Sequence, residues 1–186
     1  MGKLTLTPLP LPGLTLVDTA SFEDHRGAFA RLFCAAELTP LGMGAIVQVN
    51  HSLTRSPGAL RGLHFQRPPK AEAKLVRCLR GRVLDVAVDL RAGSPTYLKW
   101  HAVELSAANR RALFLPRGFA HGFQTLEADC ELLYLHDEFY CPEHEGGLRH
   151  DDPALGIAWP LPAADLSARD AAHPLLTSDF APLATD

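Results

Sequence analysis

The sequence predicts an all-β fold, a double-stranded β-helix jelly roll with short peripheral helices, as a single domain over residues 1–186. Its 14 glycines and 15 prolines are spread along the chain, as in folds built from short strands and frequent turns. Apolar residues recur with the two-residue period of strands, and no long helical period interrupts them. A chain of 186 residues, 47% of them hydrophobic, is large enough to bury one core.

Short strands are predicted where alternating or β-branched runs end at turn residues. These runs cover residues 4–9, 14–18, 28–33, 45–52, 74–79, 82–90, 100–105, 112–115, 119–125 and 131–136. Short helices are expected at residues 34–38 and 165–172. Ser167 would cap the second helix and Pro174 would stop it.

The clearest local pattern is a hairpin formed by residues 74–79 and 82–90. The two runs flank Arg80-Gly81, a dipeptide typical of tight turns. The second run is apolar at nearly every position, which predicts a strand covered on both faces.

Composition argues against several classes of partner and location. A net charge of −3 without a run of Lys or Arg favours neither nucleic acid nor an anionic membrane. No apolar run approaches the ~20 residues of a spanning helix, and the N-terminal residues resemble a strand followed by proline, not a signal peptide. Cys34, Cys78, Cys130 and Cys141 are scattered, which predicts small buried thiols in a reducing compartment. A cytoplasmic protein is therefore expected.

Two histidines are candidates for a shared cavity. In the strand-like run from Arg61 to Gln66, His64 faces away from its neighbours Leu63 and Phe65. The pattern Pro116-x-Gly118-x-x-His121 is similar to the turn by which cupins direct a histidine into their barrel. Either histidine could instead be a hydrogen-bonded core residue.

A metal site formed by His64, Glu72 and His121 is one alternative. Metal-binding cupins usually carry His-x-His followed by Glu, but this chain has Gln66 at the second position. An amide is a poor ligand for first-row transition metals. No metal or other cofactor is therefore expected, and a metal-dependent cupin oxygenase stays open as an alternative.

Lys74 and Tyr134 would complete a set for acid–base chemistry with His64. Imidazole is the natural base near neutral pH, a phenol is a weak acid, and an ammonium stabilises a developing oxyanion. These three groups suit proton abstraction next to a carbonyl. Alternatively, Lys74 is a surface lysine and Tyr134 a core aromatic residue.

Nine motifs occur in the order and with the spacing of one known family. They are Asp24-His25-Arg26-Gly27-x-Phe29, Gln48-Val49-Asn50-His51-Ser52, Arg61-Gly62-Leu63-His64-Phe65-Gln66, Lys74-Leu75-Val76-Arg77, Asp85-Val86-Ala87-Val88-Asp89-Leu90-Arg91, Ser94-Pro95-Thr96, Leu115-Pro116-x-Gly118-Phe119-Ala120-His121-Gly122-Phe123, Asp152-Pro153 and Leu166-Ser167-Ala168-Arg169-Asp170. On these motifs the chain resembles the dTDP-4-dehydrorhamnose 3,5-epimerase family from about residue 14 to about residue 176.

The resemblance implies a metal-free, cofactor-independent homodimer with strand exchange that inverts C3 and C5 of a nucleotide-linked 4-keto-6-deoxyhexose. It assigns His64 as the base, Asp170 as the partner of that base, Lys74 as the group that stabilises the enolate, and Tyr134 as the acid. The implied substrate contacts are Arg26, Gln48, Val49, Asn50, Arg61, His121, Tyr140, Glu145 and Arg169.

Three residues depart from the family pattern. Arg31 stands where Glu is usual, Glu72 where Gln is common, and Phe139 where the first of two tyrosines is frequent. These departures leave open an epimerase that inverts one carbon only. A non-catalytic sugar-binding jelly roll is a further alternative.

Overall fold

The computed structural model describes residues 3–184, which form thirteen strands and a few short helical segments. The strands are β1 (Leu4–Pro8), β2 (Thr15–Thr19), β3 (Ser21–Asp24), β4 (Gly27–Ala30), β5 (Gln48–Thr54), β6 (Leu60–Gln66), β7 (Lys74–Arg80), β8 (Arg82–Asp89), β9 (Trp100–Ser106), β10 (Ala112–Leu115), β11 (Phe119–Thr125), β12 (Cys130–His136) and β13 (Glu145–Gly147). The helices are α1 (Ala35–Leu38) and α2 (Ala168–Ala172), with 3-10 turns at Thr39–Leu41 and Pro142–His144.

Two antiparallel sheets make up the body of the fold. The larger sheet has the strand order β1-β2-β10-β7-β12-β5, and the smaller has the order β13-β6-β11-β8-β9. Strands β3 and β4 form a separate hairpin. The all-β prediction is confirmed. Strands β3 and β13 were not predicted, because β3 is largely exposed and β13 consists of Glu145, Gly146 and Gly147, so neither shows an apolar alternation. The extent of one domain over 1–186 stays a prediction, since its outermost residues lie outside the described range.

The predicted hairpin of residues 74–79 and 82–90 is wrong as a pairing. Strand β7 pairs with β10 and β12 in the larger sheet, whereas β8 pairs with β11 and β9 in the smaller one. Gly81 turns the chain from one sheet to the other with a φ of +75°, packed against Cys130. Both strands are central in their sheets, which explains why both runs are so apolar.

Strand β8 is covered on both faces, as its sequence predicts. Val83 and Ala87 face the core between the sheets, and Val86 and Val88 face a second cluster on the outside of the smaller sheet. Leu63 and Phe65 of β6 belong to this outer cluster. A third cluster covers the outer face of the larger sheet.

The core between the sheets gives way to polar side chains along two neighbouring strands. On β12, the buried Cys130 and Leu132 are followed on the same face by Tyr134 and His136. On β7, Lys74 precedes the buried Val76. This change marks the position of the cavity described below.

The four cysteines differ in burial. Cys78 and Cys130 are buried as predicted, but Cys34 and Cys141 are only half-buried, and all four thiols are free. Within residues 3–184, no helix has the length and apolar character needed to cross a membrane.

Candidate active site

A cavity of about 600 Å³ lies between the two sheets, lined by β5, β7 and β12 on one side and β6 and β11 on the other. It brings together most of the predicted site residues. Those that line it are Gln48, Asn50, Arg61, His64, Lys74, His121, Tyr134, Tyr140, Glu145, Arg169 and Asp170. Two predicted site residues, Arg26 and Val49, do not line this cavity. Arg26 is on the β3–β4 hairpin with its side chain 78% exposed, and Val49 is 57% exposed.

His64 and Asp170 form a hydrogen-bonded pair at the cavity wall. The Nε2 atom of His64 lies 2.8 Å from Oδ1 of Asp170, which is almost fully buried. Asp170 belongs to α2, whose predicted cap is confirmed because Ser167 Oγ accepts a hydrogen bond from the Asp170 backbone N–H. The backbone N–H of Gly62 donates to Oδ2 of Asp170 over 3.3 Å.

Asp170 is ionised although it is buried. Burial alone would raise the pKa of Asp170, but the hydrogen bond and the charge of His64, with the Gly62 N–H, hold it well below its usual range. Because an ionised carboxylate only accepts, the contact with Asp170 places a proton on Nε2 of His64, and in a neutral ring the lone pair is then on Nδ1. A ring with this tautomer can act as a base through Nδ1.

Lys74 is held by a second carboxylate on the wall formed by the larger sheet. Its Nζ lies 3.0 Å from Oε1 of Glu72, and Oε2 of Glu72 lies 2.7 Å from Nδ1 of His136. The side chains of Lys74, Glu72 and His136 are 10%, 9% and 8% exposed. Burial would raise the pKa of Glu72, but the hydrogen bond from His136 and the charge of Lys74 lower it.

Tyr134 presents a protonated phenol to the same cavity. Burial raises the pKa of Tyr134 well above its usual value, although a 3.1 Å hydrogen bond with Ser52 opposes this shift. Its ring meets the ring of His121 edge-on and stacks on that of His136. The buried Asp85 holds the ring of His121 in place, since Nε2 of His121 lies 3.0 Å from both carboxylate oxygens of Asp85.

The mouth of the cavity is a polar network. Tyr140 donates from its hydroxyl to Glu145 over 3.0 Å and from its backbone N–H to Gln48 over 3.1 Å. Arg169 forms a 2.9 Å ion pair with Glu145 and lies close to the His64–Asp170 pair. On the other side, Arg61 donates to Thr54 Oγ1 over 2.9 Å.

Comparison with known proteins identifies the family. A family model described as dTDP-4-dehydrorhamnose 3,5-epimerase matches residues 8–178. The chain belongs to the dTDP-4-dehydrorhamnose 3,5-epimerase family. The predicted resemblance is thus confirmed, and so is the expectation of an enzyme of the isomerase class.

Three relatives of this epimerase chain illustrate the match. The dTDP-4-dehydrorhamnose 3,5-epimerase of Sinorhizobium fredii is 45% identical over 181 residues, which is 95% of this chain and 91% of that one. The Bacillus anthracis enzyme, solved with TDP and PPi bound, superposes with a TM-score of 0.90 at 39% identity, covering 93% of this chain and 99% of its own. A 3'-monoepimerase from Streptomyces bikiniensis, solved with dTDP-quinovose, superposes with a TM-score of 0.84 at 36% identity, covering 90% and 86%. This likeness also confirms the predicted jelly roll.

The metal set considered from the sequence does not come together in this epimerase. Glu72 is bound to Lys74 and His136, and His121 to Asp85. Among the residues that the structure describes, the group with ligand atoms within 4.8 Å of one another is instead His64, Asp170 and His173.

Gln66, which stands at the second position of the metal-binding pattern, has a structural role. Its side-chain oxygen accepts from the Cys141 N–H over 2.6 Å, and its nitrogen donates to the carbonyls of Lys70 and Phe139. It thereby ties β6 to the segment that follows β12.

Several lining or supporting residues were missed by the sequence reasoning. They are Ser52, Asp85 and His136. A signal existed for His136, which stands two residues after Tyr134 and therefore shares its face on β12. A signal also existed for Asp85, a charged residue within an otherwise apolar strand that is covered on both faces.

Proposed function

We propose that this cavity catalyses the cofactor-independent epimerisation of dTDP-4-dehydro-6-deoxy-D-glucose at C3 and C5, giving dTDP-4-dehydro-L-rhamnose for dTDP-L-rhamnose or a related deoxysugar. The observation that carries the proposal is the placement of base and acid. His64 lies on β6 of the smaller sheet and Tyr134 on β12 of the larger sheet, and both line the same cavity. A sugar between them would meet a base on one face and an acid on the other.

The first step is proton abstraction next to the C4 ketone. Nδ1 of His64 takes the proton, and the electrons of the broken C–H bond move into an enolate with its negative charge on the C4 oxygen. The ionised Asp170 favours the imidazolium that results. Lys74, held at the cavity wall, stabilises the enolate oxygen.

The second step returns a proton from the opposite face. Tyr134 is protonated at neutral pH, and burial raises its pKa further above the usual value of about 10. Its hydroxyl donates the proton to the enolate carbon, which inverts that centre. The imidazolium and the phenolate then exchange protons with solvent and restore the starting state.

The polar mouth suits the diphosphate and the nucleoside of the substrate. The guanidinium groups of Arg61 and Arg169 line this region and can bind phosphate oxygens in a two-pronged way. Tyr140 and Gln48 lie beside them and would contact the nucleoside. The TDP in the Bacillus anthracis relative supports this class of ligand.

A homodimer with strand exchange is part of the proposal. Strand β5 is an edge strand whose Val49 and Leu53 are exposed, and the separate β3–β4 hairpin exposes Phe22 and Phe29, the latter by 71%. Exposed apolar side chains of this kind favour a partner surface. Arg26, on the same hairpin, would then reach the diphosphate in the partner's cavity. The cytoplasmic location and the lack of nucleic-acid or membrane partners stay predictions from composition.

Isotope incorporation tests the reaction. The chain is incubated with dTDP-4-keto-6-deoxyglucose in deuterated water, and the sugar is analysed by NMR and mass spectrometry. We expect deuterium at both C3 and C5 with inversion at each carbon. A sugar without label would refute the proposal and favour a protein that binds the sugar without catalysis. In such a protein, His64→Asn should leave the affinity for the ligand nearly unchanged.

A single inversion is the second candidate. It is favoured by the likeness to the Streptomyces bikiniensis 3'-monoepimerase and by the departures at Arg31, Glu72 and Phe139. Label at one carbon only would support this candidate. Stoichiometric metal found by elemental analysis, bound through His64, would instead favour the oxygenase alternative.

A further inference from the structure

The segment that carries Tyr140 at the cavity mouth belongs to no helix or strand. Residues 139–141 lie between β12 and the 3-10 turn at Pro142–His144. Backbone groups outside regular structure still need hydrogen-bond partners where water is excluded. In this segment two glutamine side chains supply those partners, one from each sheet.

Gln66, the last residue of β6, binds the segment on both sides of Tyr140. Its Oε1 accepts from the Cys141 N–H over 2.6 Å, and its Nε2 donates to the Phe139 carbonyl over 3.2 Å. A further bond from Nε2 to the Lys70 carbonyl, over 2.9 Å, fixes the plane of the amide. Because Gln66 is only 3% exposed, these bonds are shielded from water.

Tyr140 itself is held at two points. Oε1 of Gln48, on β5, accepts from the Tyr140 backbone N–H over 3.1 Å. The Tyr140 hydroxyl donates to Glu145, which pairs with Gln66 in the register between β13 and β6. Tyr140 is nevertheless 51% exposed and lines the cavity. Its ring is therefore fixed in position yet accessible to a ligand.

A fixed aromatic ring at the mouth suits the base of a nucleotide. Bases of every kind stack on aromatic side chains, and removing such a ring weakens binding by about 5- to 100-fold. A ring that is already held in place loses little freedom on binding, so more of the stacking interaction appears as affinity. The value of Tyr140 as a stacking surface thus depends on what holds its backbone.

We propose that Gln66 is a positioning residue that holds the Tyr140 ring where it stacks on the base of a nucleoside diphosphate sugar. This role rests on the proposed epimerase function, in which the nucleoside lies beside Tyr140. The three hydrogen bonds of Gln66 go to backbone groups, none of them of a proposed catalytic residue. Its loss should therefore weaken nucleotide binding and leave the chemical step almost unchanged.

The test is Gln66→Met, which keeps the length of the side chain and removes its hydrogen bonds. The dissociation constant of TDP, measured by calorimetry, should rise by about 5- to 30-fold, and KM in the deuterium-exchange assay should rise with it. We expect kcat to stay within about threefold of wild type. A fall in kcat at unchanged KM would overturn the inference.

Pyrophosphate is the matched ligand, because it has the diphosphate charge but no base. Arg61 and Arg169 are intact in Gln66→Met, so the inhibition constant of pyrophosphate in the exchange assay should change by less than about twofold. Equal weakening of TDP and pyrophosphate would indicate a general disturbance of the cavity mouth and would overturn the inference.

Gln124→Met, on β11, is the matched variant. Gln124 is fully buried, and its amide likewise bonds to two carbonyls and one N–H, which belong to Gly58 and Leu161. It is not among the residues that line the cavity. This variant should lower the thermal unfolding temperature much as Gln66→Met does, but it should leave the affinity for TDP unchanged.

A double-mutant cycle shows whether Gln66 acts through the ring. In a Tyr140→Ala background, Gln66→Met should weaken TDP binding further by less than about twofold, because the ring that it positions is gone. If the separate losses of Gln66→Met and Tyr140→Ala multiply in the double variant, Gln66 acts independently of Tyr140 and the inference is wrong.

The outcomes distinguish this inference from the proposed function. If the wild-type chain exchanges deuterium and Gln66→Met binds TDP as tightly, the inference fails and the epimerase function stands. A wild-type chain that binds TDP but incorporates no deuterium overturns the epimerase function, and calorimetry with TDP still decides the role of Gln66. A wild-type chain that does not bind TDP overturns both.

Discussion

At the residue scale, the proposed base, His64, depends on a carboxylate that stays ionised in a buried position. Asp170 is nearly inaccessible, yet the His64 imidazole and the Gly62 N–H lower its pKa. Its charge selects the tautomer in which His64 keeps a free lone pair on Nδ1. In the proposed reaction, Asp170 therefore determines which nitrogen of His64 takes the proton.

Replacing Asp170 by Asn tests this dependence. The amide keeps the shape but can donate to Nε2 of His64, which would place the proton on Nδ1 and leave the ring in the wrong tautomer. We expect kcat for deuterium exchange to fall by about 10²- to 10⁴-fold, as for other histidine–carboxylate pairs, with KM within a few fold. A loss of less than about threefold would show that Asp170 does not orient the base.

A buried carboxylate outside the cavity provides the control. Burial would raise the pKa of Asp89, but hydrogen bonds from Arg91, Ser94 and Thr96 lower it to about 2. Asp89→Asn should leave kcat unchanged and cost about 2 kcal/mol of unfolding free energy at pH 7. A carboxylate whose pKa is lower in the folded state than in the unfolded state stabilises the fold at pH values above its unfolded-state pKa. The difference in unfolding free energy between wild type and Asp89→Asn should therefore shrink as the pH falls from about 4 to about 2. Urea unfolding across that range measures it.

The sequence could predict most of the catalytic set at this scale. His64 and Tyr134 follow from strand alternation, because one buried face fixes where the opposite face points. Asp170 lies 106 positions from His64 on a separate helix, so no local pattern connects them. That pairing was predicted through the family resemblance, and its catalytic role stays a prediction.

At the element scale, the pair depends on the close approach of β6 and β11. Gly62 has a φ of +125°, and a Cβ on it would lie 2.5 Å from the Cα of Gly122. The register between these strands shifts next to this point, between His121 and Phe123. The absence of both side chains brings the Gly62 N–H within reach of Asp170.

Gly62→Ala should therefore affect both folding and activity. The new methyl would meet backbone, which cannot move aside like a side chain, and the positive φ adds further strain. We expect the unfolding free energy, measured with urea, to fall by about 2 to 5 kcal/mol. The molecules that remain folded should also exchange deuterium into the sugar more slowly. The matched control is Gly93→Ala, at φ +70° with open space around it, which should cost about 1 kcal/mol and leave exchange intact. Equal costs for both variants would contradict the close-approach argument.

Strand pairing is where local patterns were least informative. Residues 74–79 and 82–90 carry strong strand signals around Arg80-Gly81, yet β7 and β8 belong to different sheets. Two apolar strands joined by a tight turn can pair or diverge, and their own sequence is similar in both cases. The choice is made by partners distant in the chain, such as β12 for β7 and β11 for β8.

At the scale of the whole molecule, each sheet contributes one side of the proposed reaction. The base comes from the smaller sheet, and the acid and Lys74 come from the larger sheet. Arg26 stands apart, on a hairpin whose Phe22 and Phe29 are exposed. A dimer in which this hairpin enters the partner's cavity would make every site a composite of two chains.

Mixing two variants, each defective in a different residue of the site, tests this composite site. Arg26→Ala should weaken diphosphate binding, and His64→Asn should abolish exchange. A mixed dimer with strand exchange contains one chain of each variant. The cavity of the Arg26→Ala chain keeps His64 and receives the intact Arg26 of the partner chain, so one of the two sites in the dimer is complete. Random reassociation makes about half of the dimers mixed, so exchange at low substrate concentration should recover to about a quarter of wild type. If Arg26 acts within its own chain, no mixed site is complete and the mixture stays as slow as its parents. The control is each variant unfolded and refolded alone, which should recover nothing.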